Sequence, residues 1–221
     1  MRWTDFPIHF VDFEGSVTSG VLEFGVVTLR AGQIAETRTR FCRPSGRIKP
    51  EDEALHGLTA DRLASYAPFM DEFNYFATLR ETGPLAAHYA QAENTMLKAI
   101  WPYVRKVPDF ARPGQTLTEW GPWIDTGRLY LDHFRGASSG KLDQLVTVFQ
   151  LQDELAVLAA KHCPPDRCHY HAALYDALAG ALLLRTLETR LQRGPLTLLW
   201  LLHASTANPQ KRADLRQREL F

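Results

Sequence analysis

The feature that most constrains the fold of this chain lies at its start. An apolar run from Ile8 ends in an acid at Asp12, the turn formers Gly15, Ser16, Ser19 and Gly20 follow, and a second apolar run extends from Val21 to Leu29. Two such runs around a glycine- and serine-containing turn form a β-hairpin, and each strand must then bury its apolar face against another layer. A third strand is expected from Thr37 to Arg43, where alternating residues suit a half-buried sheet, and Pro44 with Gly46 ends it. Three antiparallel strands thus open the chain.

From Pro50 onward the period changes. Leu55, Leu58, Leu63, Phe69, Phe73, Phe76 and Leu79 return every three or four residues, the spacing of helices, and the phenylalanine stripe reads as core rather than as a base-stacking platform. Leu85 to His88 reads as a buried strand, Asn94 to Val104 as a helix and Trp120 to Asp125 as another strand, giving a β-α-β alternation. Further helices are expected at Leu142 to Phe149, Asp153 to Lys161 and His171 to Leu191, the last punctuated by Gly194 and Pro195. An apolar segment and a polar tail from Asn208 to Phe221 follow. With 221 residues, 45% of them hydrophobic, the chain can bury the core of one α/β domain. The expected division is a domain over residues 1–203 and a tail over 204–221.

Charge narrows the function classes. Lys and Arg number 25, and so do Asp and Glu, so no global positive field holds a polyanion through counterion release. That argues against a histone-like coating protein but leaves room for an enzyme that grips a strand end and screens phosphates with bound metal. The three cysteines, Cys42, Cys163 and Cys168, form no regular framework, and their odd number suits a reducing compartment. Met1 to Phe10 lacks a secretory pattern, and the apolar stretch near Leu196 to Leu202 is too short to span a bilayer. The expectation is a cytoplasmic protein with no membrane association.

The chemistry-bearing residues fall in three separated segments. Asp12 and Glu14 are two apart on a strand, so both carboxylates leave one face while Val11 and Phe13 point the other way. Taken alone, an Asp-x-Glu also marks a strand end meeting solvent. The segment from Leu85 to Glu93 is a strand turning into a helix that presents another acid. His171 and Asp176 stand five residues apart at the start of a helix whose small residues suit close approach to a sheet, with His171 on the preceding loop. Four acids and one histidine can converge.

Phe10 to Ser16, His88 to Glu93 and His171 to Asp176 resemble, in order, the three motifs of the DEDDh exonucleases, the superfamily that includes proofreading subunits and RNase T. Ala54 to Thr59 resembles the His-Gly-Ile-Thr segment found between the first two motifs, and Trp123 to Thr126 resembles the Asp-Thr of the fourth strand. The resemblance implies an α/β, ribonuclease-H-like exonuclease fold, a mixed five-stranded sheet flanked by helices. It also implies removal of nucleotides from a 3′ end. Asp12, Glu14 and Asp176 would bind one divalent cation and Asp12 would reach a second, Mg²⁺ or Mn²⁺. Two such cations orient an attacking water and neutralise the leaving 3′ oxygen. His171 would be the general base, a role suited to imidazole as a side-chain type because it titrates near neutral pH. The expected substrates are single-stranded or frayed 3′ ends of DNA or RNA; nothing in the motifs reads the 2′ hydroxyl that separates the two.

The chain departs from the family pattern at Glu93, where Asp is usual, and at Tyr89, where Asn is usual. A ligand misplaced by about 1 Å can cost about a hundredfold in rate. A catalytically weakened nucleic-acid- or clamp-binding module on the same fold is therefore the rival reading. Phe13, Gly15, Ser16, His56 and Tyr89 are candidates for substrate contact. For Phe13 the core is the alternative, and for His56 a helix terminus ended by Gly57. Asp125 with Thr126 reads as a helix N-cap. His162, Cys163, Cys168, His169 and His171 crowd together, but their spacing is unlike a paired zinc knuckle. Finally, Gln217, Leu220 and Phe221 resemble the Gln-x-x-Leu-Phe peptides that dock on bacterial sliding clamps, with folding back onto the domain as the alternative.

Overall fold

A computed structural model describes residues 1–134, 139–192, 194–210 and 212–213. Gln217, Leu220 and Phe221 lie outside the described residues. Strands β1 (Ile8–Ser16), β2 (Gly20–Arg30) and β3 (Gln33–Phe41) form an antiparallel meander. Helices α1 (Pro50–His56), α2 (Ala60–Leu63) and α3 (Phe73–Thr82) carry the chain to β4 (Leu85–Ala87), which pairs parallel to β1. After α4 (Gln91–Ile100), a small hairpin of β5 (Val107–Pro108) and β6 (Thr116–Leu117) leads to β7 (Ile124–Asp125), parallel to β4. The sheet order is β3-β2-β1-β4-β7, the mixed five-stranded sheet that was expected. Helices α5 (Thr126–His133), α6 (Leu142–Val148), α7 (Gln152–His162), α8 (Ala173–Leu191) and α9 (Leu198–Ser205) complete the domain.

The two-residue period of β1 sorts its side chains into two cores. Ile8 and Phe10 join Val27, Leu29 and the buried side of α8 in one layer. Val11 and Phe13 join Phe24, Phe69, Phe76 and Trp101 in the other. Each large apolar side chain so buried contributes about 1.5–3 kcal/mol before conformational entropy is counted. Two glycines let α8 lie flat on the sheet. A Cβ at Gly180 would fall 2.2 Å from the Phe10 ring, and one at Gly25 would fall 2.3 Å from the backbone of Ala173 and Leu174. This close approach sets the distance between α8 and β1.

The observed elements differ from expectation where tertiary context decides. The strand expected from Trp120 is only Ile124–Asp125, because Pro122 has no amide to give a ladder. The apolar segment after Pro195 is a helix, α9, capped by the Thr197 hydroxyl, and the expected boundary after residue 203 falls inside it. Ser205 at its end accepts the Asp125 amide at 2.8 Å, tying α9 to β7. Among the described residues no helix is long and apolar enough to cross a membrane.

Candidate active site

Asp12 and Glu14 project from the end of β1 on the face that carries α8. A bulge between Glu14 and Gly15 ends the regular ladder, and Gly15 turns there with φ +123°, where a Cβ would meet the Gly20 carbonyl at 2.3 Å. Across the sheet, Asp12 is the register partner of Gly25 and Glu14 that of Glu23. Asp176 lies in the first turn of α8, where the helix N-terminus favours negative charge. One Asp176 oxygen accepts the His171 amide at 3.0 Å. His171 itself is exposed and left-handed, with φ 62°.

Ligand atoms of Glu14, His171 and Asp176 lie within 4.8 Å of one another. Glu93, in the first turn of α4, is buried nearby. Its Oε2 and the Asp176 Oδ1 are both buried without a hydrogen-bond partner. Buried carboxylate oxygens rarely go unpaired, and hard oxygen donors in this state suit a divalent cation.

Electrostatics points the same way. Burial, then repulsion from Asp176, Glu14, Glu93 and Glu23, holds the Asp12 carboxyl well above the usual carboxylate range. Burial, with Asp176 and Glu23 adding to it, pushes Glu14 up to about 8, against a smaller opposing pull from Arg167. Burial takes Glu93 to about 8 and Asp176 to about 7. The fold therefore crowds carboxyls that destabilise one another when ionised and that a bound cation would relieve. Of the five expected residues, Glu14, His171 and Asp176 bring ligand atoms together, while Asp12 and Glu93 lie close enough for their charges to act on the same carboxyls.

The candidates for substrate contact fare unequally. The Phe13 ring is only 7% exposed and packs edge-on against Phe69 and Phe76, so it belongs to the core and offers no stacking face. The Ser16 amide and hydroxyl are taken up by Ser19 within the β1–β2 turn, which removes Ser16 as a free donor. Gly15 serves the bulge. His56 ends α1 before left-handed Gly57, and its Nδ1 accepts the Leu58 amide at 3.0 Å. Its Nε2 is buried and unpartnered, and burial lowers its pKa, opposed by Asp52 and helped by Arg167. Tyr89 is 40% exposed and left-handed; its amide donates to Asp125 and its hydroxyl to the Ser139 carbonyl. Asp125 caps α5 through the Arg128 amide, as expected, and also accepts the amides of Tyr89 and Ala90. Among the described residues no converging group of metal-ligand atoms includes a cysteine.

Sequence reasoning missed Glu23 and Arg167. Their side chains, 2% and 3% exposed, form an ion pair at 2.5 Å beside the carboxyl cluster. The signal was an acid in the middle of the apolar run from Val21 to Leu29, which cannot be buried there without a partner.

No family model matches the chain, and no curated protein matches it. Several solved structures do. Exonuclease X in complex with 5′-overhanging duplex DNA aligns at 20% identity over 85% of this chain and 95% of that one, with a TM-score of 0.59. The zinc-bound complex of E. coli exonuclease I with single-stranded DNA aligns at 13% identity over 85% of this chain, with a TM-score of 0.60. This chain spans 41% of that longer protein. The nuclease domain of 3′hExo, a DEDDh family member bound to rAMP, aligns at 17% identity over 83% of this chain and 92% of that one, with a TM-score of 0.53. The chain thus has the ribonuclease-H-like fold of these exonucleases, and the carboxyl cluster sits within it.

Proposed function

We propose that this protein is a metal-dependent 3′ to 5′ exonuclease that hydrolyses phosphodiester bonds at nucleic-acid 3′ ends. The observation that carries this reading is the convergence of Asp12, Glu14, Glu93 and Asp176, with His171 beside them, on the fold that exonucleases use. Asp12, Glu14 and Asp176 would hold the divalent cations, Mg²⁺ or Mn²⁺, with Glu93 supporting a second one through its longer side chain. When bound, two such cations neutralise charge on the scissile phosphate and the leaving 3′ oxygen. His171, exposed at the mouth of the cluster, takes the proton of the attacking water on an imidazole nitrogen as general base. Asp176 also fixes the His171 backbone by accepting a hydrogen bond from its amide at 3.0 Å, so one residue would serve both the cation and the base.

The substrates of the structural neighbours support a 3′ end of DNA or RNA as the ligand: an overhanging duplex, single-stranded DNA and a histone mRNA stem-loop. The partly exposed Tyr89, beside Asp125 and four residues before Glu93, would meet the terminal nucleotide. The free cysteines support a reducing compartment such as the cytoplasm. Residues 217–221 would serve as a clamp-docking peptide, and clamp binding that survives their deletion removes that assignment.

The test uses purified full chain with 5′-labelled DNA and RNA oligonucleotides. The expected result is a ladder of shortened products with Mn²⁺, none with chelator, and loss of the ladder in His171→Ala. Binding without shortening of either substrate would replace the enzyme by a binding module on the same fold.

A further inference from the structure

Arg167 closes a short 3-10 turn, Pro165–Arg167, four residues before His171. Its guanidinium reaches three separate parts of the chain. Nε and Nη2 donate to the two oxygens of Glu23 on β2 at 3.3 and 2.5 Å. Nη1 donates to the His56 carbonyl at the end of α1 at 2.9 Å, and Nη2 to the His171 carbonyl at 2.8 Å. Glu23 in turn accepts the Ala173 amide at 3.3 Å, at the first residue of α8. One buried pair therefore joins β2, α1, the His171 loop and α8.

Stability alone is a weak reason for such a pair, since well-packed apolar replacements of buried ion pairs are often neutral or stabilising. What the pair does is visible at His171. This residue adopts the left-handed conformation, uncommon outside glycine although His, like Asn and Asp, enters it more readily than most, and both its peptide groups are pinned. Its amide is held by Asp176 and its carbonyl by Arg167. Released from either, the loop has no reason to keep the imidazole within 4.8 Å of the Glu14 and Asp176 oxygens. A lysine could supply the charge but not the planar fork that serves Glu23 and two carbonyls together.

We propose that Arg167 and Glu23 form a clamp that holds His171 in register with the carboxyl cluster, so that Arg167 is a positioning residue whose loss reduces turnover rather than substrate affinity. The inference rests on the exonuclease reading only for the role of His171; the clamp itself can be read without any reaction.

Two variants of the full chain test it. Glu23→Gln/Arg167→Met removes both charges together and leaves neither buried and unpaired; Arg167→Lys keeps the charge and loses the fork. With Mn²⁺ and a 5′-labelled single-stranded oligonucleotide, kcat is expected to fall about a hundredfold in the double variant and about tenfold in Arg167→Lys, with KM within about twofold of wild type. In the metal-free proteins the His171 ring signal, assigned by its loss in His171→Ala, is expected to shift and broaden in proton–carbon NMR spectra of both variants. A folded double variant with wild-type kcat and an unmoved His171 signal overturns the proposal, as does a rise in KM with kcat unchanged. If the double variant fails to fold, the same two measurements on Arg167→Lys uphold or overturn the clamp by the same criteria. If the wild-type chain cleaves nothing, the exonuclease reading falls, and the His171 signal decides the clamp: moved upholds it, unmoved overturns it.

Discussion

Gly25 is the smallest perturbation with the largest expected effect on the site. It faces Asp12 across the β1–β2 ladder, and the backbone of Ala173 and Leu174 rests directly on it. In Gly25→Ala the new Cβ would lie 2.3 Å from Ala173 C and O and from Leu174 N, all backbone atoms that cannot swing aside. Restoring ordinary contact at about 3.4 Å requires a displacement of about 1.1 Å between β2 and the start of α8. Asp176 and His171 travel with α8, while Asp12 and Glu14 travel with the sheet. A shift of about 1 Å in a reacting constellation costs about a hundredfold in rate, and overpacking costs about 1–3 kcal/mol in stability. The assay is single-turnover cleavage of a labelled oligonucleotide with saturating Mn²⁺, alongside thermal unfolding. A cooperatively folding Gly25→Ala with cleavage within twofold of wild type would refute the idea that this contact sets the site.

Three further outcomes are expected. In metal-free protein the raised carboxyls bind protons that the unfolded chain has already released, so stability should fall as pH rises from about 4 towards 8, the window bounded by ordinary carboxyl values and by the values of about 8 for Glu14 and Glu93. The Glu93 share is at most about 5 kcal/mol, from 4.5 to about 8 at about 1.4 kcal/mol per unit. Glu93→Gln should flatten the decline in melting temperature, and Mn²⁺ should stabilise wild type more at pH 8 than at pH 5; a steeper decline, or a larger metal effect at pH 5, contradicts this. Glu93→Asp should preserve or raise cleavage with Mg²⁺ while Glu93→Ala lowers it strongly, and equal rates in all three proteins remove Glu93 from the site. Asp125→Ala strips the amides of Tyr89, Ala90 and Arg128 of their acceptor and should cost about 2 kcal/mol by denaturant unfolding, with no change in stability counting against the capping role.

The opening hairpin could be read from the chain by local rules, and the placing of the candidate acids by local rules together with the ordered motifs that they share. Period-two alternation put Asp12 and Glu14 on one face, and the start of α8 announced Asp176 through its small residues. Asp125 as a cap was legible for the same reason. What escaped depended on packing between distant segments. Phe13 and Ser16 sit in the right motif, yet an aromatic cluster claims one and a turn claims the other. Glu23 and Arg167 lie 144 residues apart and have no local pattern; only the fold, which packs the turn before α8 against β2, makes them partners. Strand β7 shrank to two residues because Pro122 interrupts the segment before it.

The bond between Asp125 and Ser205 also bears on how copies of this protein behave together. β7 is an edge strand, and an edge normally offers its free amides as a template for another chain. Here the Asp125 amide is already bound to a hydroxyl from α9, and the helix packs against the strand. On the opposite edge, β3 bears Glu36, Arg38 and Arg40. One margin of the five-stranded sheet is covered and the other carries charge, two features that discourage strand-by-strand growth into aggregates, and disrupting α9 would uncover the first.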